Sequence, residues 1–406
     1  MKKLFQVNSV VNTGSTGRIA EEIGHVATKL GWKSYIAYGR EARESNSELI
    51  RIGNDWDIKW HGIKTRLFDE HGFGSEKATK RLINSLKQIE PDVIILHNLH
   101  GYYINIDVLF SYLANQDVPV FWILYDVWAF TGHCTYFDTV GCSKWKTECH
   151  NCPQRLEYPS SLFRDHSKSN YGIKRELFTS VKNLILITHS NWLGDLVKLS
   201  FLSRTRLFTI NNGVNLEVFK PTNYQHILPN YDLDNKFILV GVASGWVKRK
   251  GFDDFIDLRN KLDEKYVIIL VGVSHRQIKL LPKHIIGIER TESMEELAAL
   301  YSRADIFVNP TYEDNFPTTN LEALACGTPV ITYNTGGSPE AIDKQTGLVV
   351  EKGNIDGLVK AIREIEAKGK AQYTAKCRER AVTCFNKDDR YLDYIKLYEE
   401  ISHAKN

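Results

Sequence analysis

The chain has 406 residues, which is more than one hydrophobic core usually supports, so its length predicts two domains. Its composition, 43% hydrophobic and 25% charged residues, is that of a globular protein and argues against disorder. The net charge of +3 is too small to indicate nucleic-acid binding.

The N-terminus is predicted to begin a strand rather than a targeting segment. Residues 3–7 form a short apolar run that reaches the polar Asn8 quickly, so the apolar core of a signal peptide is missing. No apolar run approaches the roughly 20 residues that span a bilayer. We therefore expect a cytoplasmic protein whose thiols are reduced.

A polar, glycine-containing loop at residues 8–17 follows the first strand and precedes a predicted helix that starts at Arg18. A second strand is predicted at residues 34–38. Strand, glycine loop, helix and strand form a Rossmann-like unit, but the full dinucleotide fingerprint is missing and an NAD site is not indicated. The alternative is a plain strand-to-helix connection without a ligand.

Histidines follow a predicted buried strand at residues 92–96, after two predicted helices at 59–71 and 76–89. His97 and His100 lie at the carboxyl end of that strand, where ligands bind in open α/β sheets. Both are candidates for the site, with hydrogen-bonded structural histidines as the alternative. The next predicted strand, 118–124, leads to Asp126, with Trp128 beside it as a candidate for stacking on a sugar or for the core.

Four cysteines fall in one loop-rich segment, 134–152: Cys134, Cys142, Cys149 and Cys152. The Cys149-x-x-Cys152 spacing suits a tetrahedral site, and four thiolates make a closed structural zinc set. Such a set leaves no open position for catalysis. The sequence leaves two interpretations, a structural zinc and reduced buried thiols.

Lysine and arginine are frequent from residue 144 to residue 206, among apolar side chains such as Trp145, Leu162, Phe163, Phe178 and Trp192. Such a segment favours a peripheral contact with an anionic membrane surface, and a solvated face is the alternative. Predicted elements near its end are a strand at 184–188, a helix at 192–199 and a strand at 207–210.

A second domain is predicted after a polar linker at residues 224–235. Its first strand is 237–242, its first helix is 252–262, and the loop between them carries Ser244, Arg249 and Lys250. Cations on a glycine-bounded loop before a helix suit a diphosphate, and a solvated basic turn is the alternative. Further strands are predicted at 266–271, 285–288 and 347–350, and helices at 294–302, 355–367, 371–384 and 387–404.

The segment 305–340 combines strand, loop, helix, strand and glycine turn. A buried strand is predicted at 305–309, a helix opens at Pro317, a strand follows at 329–333, and another helix is predicted after Gly336. Asp314 lies in the loop, and Glu322 lies in the helix eight positions later. The amides at Thr318 offer an anion site at the helix start, beside carboxylates that can accept bonds from sugar hydroxyls.

This segment resembles the signature of glycosyltransferase family 4, two acids separated by seven residues and followed by Ala-Cys-Gly-Thr-Pro-Val and Gly-Gly-x-Pro-Glu. The resemblance implies a retaining GT-B enzyme, an α/β protein with two Rossmann-like domains whose parallel sheets face an interdomain cleft. It implies that the first acid contacts the donor sugar and that Glu322 holds the ribose. The first acid here is Asp314 rather than Glu, a shorter side chain.

Several further residues acquire roles through the resemblance. Gly14, Gly17 and Arg18 are expected to approach the donor phosphates, as are Ser244, Arg249, Lys250, Phe316, Pro317 and Thr318. Relatives carry His-Asp at the positions of Tyr125 and Asp126, so either His100 or His133 is expected to take the place of the missing imidazole, or no imidazole is needed. The cysteine segment is similar to that of transferases of colanic-acid and capsular polysaccharide biosynthesis.

These observations predict an acceptor domain at residues 1–207, a donor domain at 208–385 and a final helix at 386–406 that crosses back. We expect a hexosyltransferase-type glycosyltransferase (EC 2.4) that uses a UDP- or GDP-sugar, needs no catalytic metal and acts on a glycan or lipid-linked acceptor at the inner face of the cell membrane. Catalytic candidates are Asp314, Glu322, Asp126 and His100. The alternatives are a sugar-nucleotide epimerase of GT-B shape and a non-catalytic nucleotide- or glycan-binding module.

Overall fold

The computed structural model describes residues 1–222, 228, 231 and 233–403. These residues form two compact units, one made of Met1–Ile210 with the C-terminal segment from Tyr391, and one made of Asn211–Arg390. Most of the predicted linker at 224–235, together with Ala404, lies outside the described residues. No helix in the described part of the chain is long and apolar enough to cross a membrane.

Unit 1 is built on a seven-stranded parallel sheet of order β3-β2-β1-β4-β5-β6-β7. Its strands are β1 (Lys3–Asn8), β2 (Lys33–Tyr38), β3 (Glu48–Arg51), β4 (Val93–Leu96), β5 (Val120–Leu124), β6 (Leu184–Thr188) and β7 (Arg206–Thr209). Its helices are α1 (Gly14–Lys29), α2 (Asp55–Phe68), α3 (Glu76–Ile89), α4 (Ile106–Leu113), α5 (Ser167–Ser180) and α6 (Asn191–Lys198). The central strands are fully buried because helices cover both faces of such a sheet.

Unit 2 repeats the arrangement with a six-stranded parallel sheet of order β10-β9-β8-β11-β12-β13. Its strands are β8 (Phe237–Val242), β9 (Tyr266–Val271), β10 (Ile285–Ile288), β11 (Ile306–Asn309), β12 (Val330–Tyr333) and β13 (Gly347–Val350). Its helices are α7 (Phe252–Lys261), α8 (His275–Ile278), α9 (Met294–Arg303), α10 (Thr318–Ala325), α11 (Ile355–Lys368) and α12 (Ala371–Phe385).

The last helix, α13 (Lys387–His403), contributes its apolar side chains to the core of unit 1. Tyr394 and Tyr398 are buried there, and the ring of Tyr398 lies 4.3 Å from that of Phe121 in β5. This packing fixes the C-terminal segment on unit 1.

The structure corrects the sequence prediction at several elements. Helix α1 begins at Gly14, not at Arg18. The prediction missed the first turn because Gly14 and Gly17, which disfavour a helix, indicated a loop. The space at Gly17 is tight, since a Cβ atom would lie 3.1 Å from the backbone nitrogen of Asn12. The helix predicted after Gly336 is only a short 3-10 turn, Ser338–Ala341, which ends before extended backbone at Ile342.

Candidate functional site

The strand order of unit 2 reverses between β8 and β11, the first strand of each half of the sheet. In open α/β sheets, ligands bind at the carboxyl ends of the strands at such a reversal. Two loops leave the sheet at this point. The loop after β8 carries Ser244, Arg249 and Lys250, and the loop after β11 carries Asp314 and leads into α10. The candidate donor residues of unit 2 therefore lie at the expected edge of the sheet.

The two loops are joined by polar contacts. Lys250 Nζ lies 2.5 Å from Asp314 Oδ2, and both side chains are largely but not fully buried, at 24% and 18% exposure. Arg249 donates from Nη1 to the Glu313 carbonyl at 2.8 Å, and the Arg249 carbonyl accepts from the Tyr312 amide at 2.8 Å. An ammonium has three donors, so Lys250 can bind Asp314 and still donate to an oxyanion. Ser244 is exposed on the same loop.

Glycines let the loop backbones approach each other. Gly251 has φ +76°, and a Cβ atom there would lie 2.2 Å from the Pro310 carbonyl oxygen. Gly336, with φ +56°, would place a Cβ atom 1.8 Å from the Asp314 carbonyl oxygen. No other residue type fits either position without moving the backbone, so both glycines hold the loop that carries Asp314.

Helix α10 starts beside this loop. Pro317 occupies its N-cap position, and the preceding Phe316 is buried, with its ring 5.9 Å from that of Phe385. The Phe316 ring therefore anchors the helix in the core and is not available to contact a ligand. Thr318 is half-buried at the first helical position. The first amides of a helix have no intrahelical partner, so the amide at Thr318 is available for the expected anion site.

Glu322 lies one turn further along α10 and is held by a tyrosine. The Tyr301 hydroxyl of α9 donates to Glu322 Oε2 at 3.0 Å. Tyr301 is fully buried, and its pKa is raised well above the ordinary value by burial and then by the Glu322 carboxylate. Glu322 is thus oriented by a buried partner.

Trp246 follows Ser244 and Gly245 on the loop after β8. In the structure its indole is buried, donates to the Val271 carbonyl at 2.9 Å and meets the Phe255 ring edge-on. It belongs to the core of unit 2. The cations that contact the loop of Asp314 are Arg249 and Lys250, on the 3-10 turn Lys248–Lys250.

Unit 1 has its own strand reversal, between β1 and β4. Gly14, Gly17 and Arg18 lie in the first turns of α1, after β1, and the Arg18 side chain is exposed. His97 and His100 follow β4, and Asp126 follows the adjacent β5. The structure joins two of these side chains directly.

His100 and Asp126 form a pair, with His100 Nε2 2.7 Å from Asp126 Oδ2. The other ring nitrogen, Nδ1, lies 3.2 Å from the Tyr158 hydroxyl. Asp126 also accepts from the Trp128 amide at 2.9 Å, which fixes the carboxylate. Trp128 itself is buried and belongs to the core. His100 is therefore the oriented, partly exposed imidazole at this edge of the sheet.

His97 has a structural environment. It is buried, with Nδ1 2.8 Å from the Tyr125 hydroxyl and Nε2 2.9 Å from Gln6 Oε1. Burial lowers its pKa to about 3, so the ring is neutral. Tyr125, at the position where relatives carry histidine, is thus a partner of His97. His133, the other candidate imidazole, is buried against Asp69 at 2.6 Å.

Two residues near His100 carry no signal in the sequence. The Tyr158 hydroxyl contacts it, and the buried ring of His71 lies 5.9 Å from the ring of His100. Neither ring nitrogen of His71 has a hydrogen-bond partner among the described residues. Burial lowers the pKa of His71 well below its ordinary value. Both residues lie far from the motifs in sequence, so only the fold brings them to the pair.

The four cysteines line one small cavity together with aromatic residues. All four are free thiols, and the Gly132 amide donates to Cys149 Sγ at 3.3 Å. A hydrogen bond from the Cys134 thiol lowers the pKa of Cys152 to about 7, whereas burial raises that of Cys149 to about 11. Within the described ranges, no group of three or more His, Cys, Asp or Glu side chains is arranged to hold a metal ion. The convergence of the thiols agrees with either interpretation from the sequence, but their arrangement adds no support for zinc.

Comparisons with known proteins point to one family. Residues 223–382 match the family described as glycosyl transferases group 1. The Escherichia coli K12 protein named colanic acid biosynthesis glycosyl transferase WcaC is 24% identical over 98% of this chain and 100% of its own length. The Streptococcus pneumoniae alpha-galactosylglucosyldiacylglycerol synthase is 34% identical over 39% of this chain, and the match spans about half (46%) of that protein.

Solved structures share the fold. Sucrose-phosphate synthase from Thermosynechococcus elongatus superposes with a TM-score of 0.73 at 17% identity, covering 100% of both chains. Anabaena HepE in complex with UDP-glucose gives a TM-score of 0.67 at 14% identity, covering 98% of this chain and 100% of that one. The two parallel-sheet α/β domains and these neighbours confirm the GT-B fold class.

Proposed function

We propose that the chain belongs to the group 1 glycosyl transferases, whose family model matches residues 223–382, and that it moves a sugar from a nucleotide-sugar donor of the UDP or GDP type to a glycan acceptor, with retention at the anomeric carbon. The acceptor is a lipid-linked oligosaccharide in polysaccharide biosynthesis. The name of the Escherichia coli relative supports the pathway class, and the UDP-glucose bound to HepE supports the donor class.

Unit 2 supplies the donor contacts in this proposal. Lys250 and Arg249 neutralise the diphosphate together with the amides of Thr318 and Thr319 at the start of α10, which Pro317 precedes. Glu322, held by Tyr301, accepts from the ribose hydroxyls. Asp314 accepts a hydrogen bond from a hydroxyl of the donor sugar. Its partner Lys250 provides the positive charge that the adjacent phosphate needs.

The reaction breaks the bond between the anomeric carbon and the diphosphate oxygen and forms a bond to an acceptor hydroxyl oxygen on the same face. The departing phosphate oxygen takes the proton of that hydroxyl. Charge develops on the leaving diphosphate, so fixed cations and helix amides lower the barrier more than they stabilise the bound donor. No protein nucleophile is required by this scheme.

Unit 1 supplies the acceptor contacts. The His100–Asp126 pair and the Tyr158 hydroxyl are oriented hydrogen-bonding groups that suit a sugar hydroxyl. Gly14, Gly17 and Arg18, at the start of α1, are assigned to the donor phosphates by the resemblance, and the exposed Arg18 guanidinium suits that role. His97 has no direct role, since its ring is buried between Tyr125 and Gln6.

The observation that carries the proposal is the Lys250–Asp314 pair beside the start of α10, at the strand reversal of unit 2. The test incubates the full chain with UDP- and GDP-sugars and with glycan acceptors, and follows nucleoside diphosphate release and the anomeric configuration of the product. Acceptor-dependent release with retention is expected. Release of free sugar and nucleotide regardless of acceptor would indicate an epimerase-like activity, and tight donor binding without turnover would indicate a binding module.

A further inference from the structure

Helix α2 exposes an aromatic stripe. Trp56 is 77% exposed and Trp60 is 62% exposed, and Ile63 is exposed as well. Positions four and seven residues apart fall on one side of a helix, so the three side chains form one continuous strip. Isolated exposed apolar residues are normal, but two tryptophans and an isoleucine on one face mark an interaction surface.

A neighbouring loop extends the stripe. The Leu162 amide donates to the Arg66 carbonyl near the C-terminal end of α2 at 2.7 Å, which places residues 155–164 beside the helix. Phe163 is 72% exposed, and Leu162 and Phe68 are exposed too. We name the α2 surface by its six apolar members: Trp56, Trp60, Ile63, Phe68, Leu162 and Phe163.

The α2 surface is presented by a well-fixed helix. Asn54 caps the N-terminus, with its side chain accepting from the Trp56 and Asp57 amides. On the inner face, His61 Nε2 accepts from the amides of Gly72 and Gly74, each at 3.2 Å. The outer side chains are therefore exposed while the helix itself is anchored, so fraying does not explain their exposure.

The charged residues around the α2 surface favour an anionic partner. Lys59, Arg66 and Arg164 are exposed on the same two segments, and the Lys59 ammonium lies 5.0 Å from the Trp56 ring. Three nearby acids have cationic partners: Asp55 pairs with Arg51, Glu70 with Lys64, and Asp57 lies 3.7 Å from Arg81. This leaves Glu157 and Asp165, which accepts from the Cys152 and Ser167 amides, against the three cations.

We infer that the α2 surface docks on an anionic lipid bilayer and holds unit 1 at the membrane. A helix with tryptophans on one face and cations beside them lies in the interface between headgroups and acyl chains, and cations nearby are attracted to anionic headgroups. The inference rests on the proposed function, because a lipid-linked acceptor has to be reached at such a surface.

The docking loop is connected to the acceptor candidates. Tyr158 belongs to the same loop as Leu162 and Phe163, and its hydroxyl contacts His100. A bilayer at the α2 surface therefore brings a membrane-anchored acceptor close to the His100–Asp126 pair. The basic segment 144–206 as a whole is not the docking element, since Trp145 and Phe178 are buried in the core.

The test is sedimentation of the full chain with vesicles of phosphatidylglycerol and phosphatidylcholine, against phosphatidylcholine alone. The wild type is expected to bind the anionic vesicles preferentially. The double substitution Trp56→Ser with Trp60→Ser removes interfacial apolar area and lowers partitioning by at least about tenfold. Lys59→Glu with Arg66→Glu abolishes the anionic preference. Leu280→Ser, which replaces an exposed apolar residue of unit 2, leaves partitioning unchanged.

Donor binding, measured by thermal shift on the same variants, separates this inference from the proposed function. Unchanged donor binding with lost vesicle binding supports the inference. Equal partitioning of the wild type and the double-tryptophan variant overturns it, as does a wild type that ignores anionic vesicles. An oligomer that the double-tryptophan substitution dissociates without vesicles also overturns it, because the surface is then a protein interface. Absence of donor binding in the wild type contradicts the proposed function instead.

Discussion

Lys250 is the residue whose charge the donor site depends on most directly. It bonds Asp314 and keeps donors for an oxyanion, in a setting where both side chains are partly shielded from water. Lys250→Met removes a charge-assisted bond of about 1.5–3 kcal/mol, so donor affinity falls roughly ten- to a hundredfold. Calorimetric titration with the donor measures this loss. Lys248→Met, on the same 3-10 turn but exposed, is the matched control and leaves affinity nearly unchanged.

Glu322 and Tyr301 give a second prediction at this scale. Glu322→Gln keeps the shape but removes the charge that accepts the ribose hydroxyls, so kcat/KM falls by about a hundredfold or more. Tyr301→Phe removes only the bond that orients the carboxylate and costs roughly tenfold. Steady-state kinetics with the fold checked by circular dichroism measures both. The exposed Glu351→Gln is the control, and full activity of Glu322→Gln contradicts the assignment of the ribose contact.

Spacing in the sequence identified candidate site residues, but it did not reveal the structural environment of each side chain. Asp314 and Glu322 were found because their spacing belongs to a motif, whereas Tyr301 lies 21 positions before Glu322 and carries no local signal. His97 and His100 follow the same strand, and only the fold separates a buried ring from a partly exposed one. A side chain's partners are set by tertiary contacts that local periodicity does not contain.

The turn after β12 is the element that supports the Asp314 loop. Gly336→Ala forces a left-handed conformation on alanine, at a cost of about 1–2 kcal/mol, and adds a Cβ atom 1.8 Å from the Asp314 carbonyl oxygen. We expect the free energy of unfolding of unit 2 to fall by at least this amount. We also expect the affinity for the donor to fall. Urea unfolding and donor titration measure the two effects.

Gly245→Ala is the matched control for this prediction. Gly245 lies on the loop after β8. Its φ is not in the left-handed region, and no atom lies within 4 Å of an added Cβ atom. The free energy of unfolding of Gly245→Ala is expected to match that of the wild type. If Gly336→Ala behaves in the same way, the turn does not support the loop as described.

At the element scale, buried parallel strands were the most predictable part of the chain. Strands such as β9 (Tyr266–Val271) are continuous apolar runs, because helices cover both faces of the sheet. The missed elements lack that signal. The edge strand β3 is largely exposed, and α5 buries polar side chains such as Asn170 and Lys174, which hides its helical period.

Acid sensitivity is a prediction for unit 1 as a whole. Burial lowers the pKa of His61 to about 4, of His97 to about 3 and of His189 to about 4. These rings are neutral in the folded state, whereas the unfolded chain protonates them below about pH 6.5. The unfolded state then binds more protons, so stability falls as pH drops from about 6.5 towards 4, by about 1.4 kcal/mol per pH unit for each histidine.

A variant isolates one histidine. His97→Gln retains hydrogen-bonding capacity toward Tyr125 and Gln6 but does not titrate, so the slope of unfolding free energy against pH decreases by about 1.4 kcal/mol per unit. Urea unfolding between about pH 4.5 and 6.5 measures the slope. The exposed His275→Gln of unit 2 is the control. An unchanged slope in His97→Gln shows that His97 is not held neutral by burial.

Unit 2 is proposed to bind a nucleotide sugar at the strand reversal, and this binding can be measured by thermal shift with a panel of UDP-, GDP- and ADP-sugars and the bare nucleotides. A ligand of the folded state raises the unfolding temperature by mass action. One UDP- or GDP-sugar is expected to raise the unfolding temperature of the wild type above the value with its bare nucleotide, and to raise that of Lys250→Met much less. No shift with any member of the panel, or an equal shift in Lys250→Met, would contradict it.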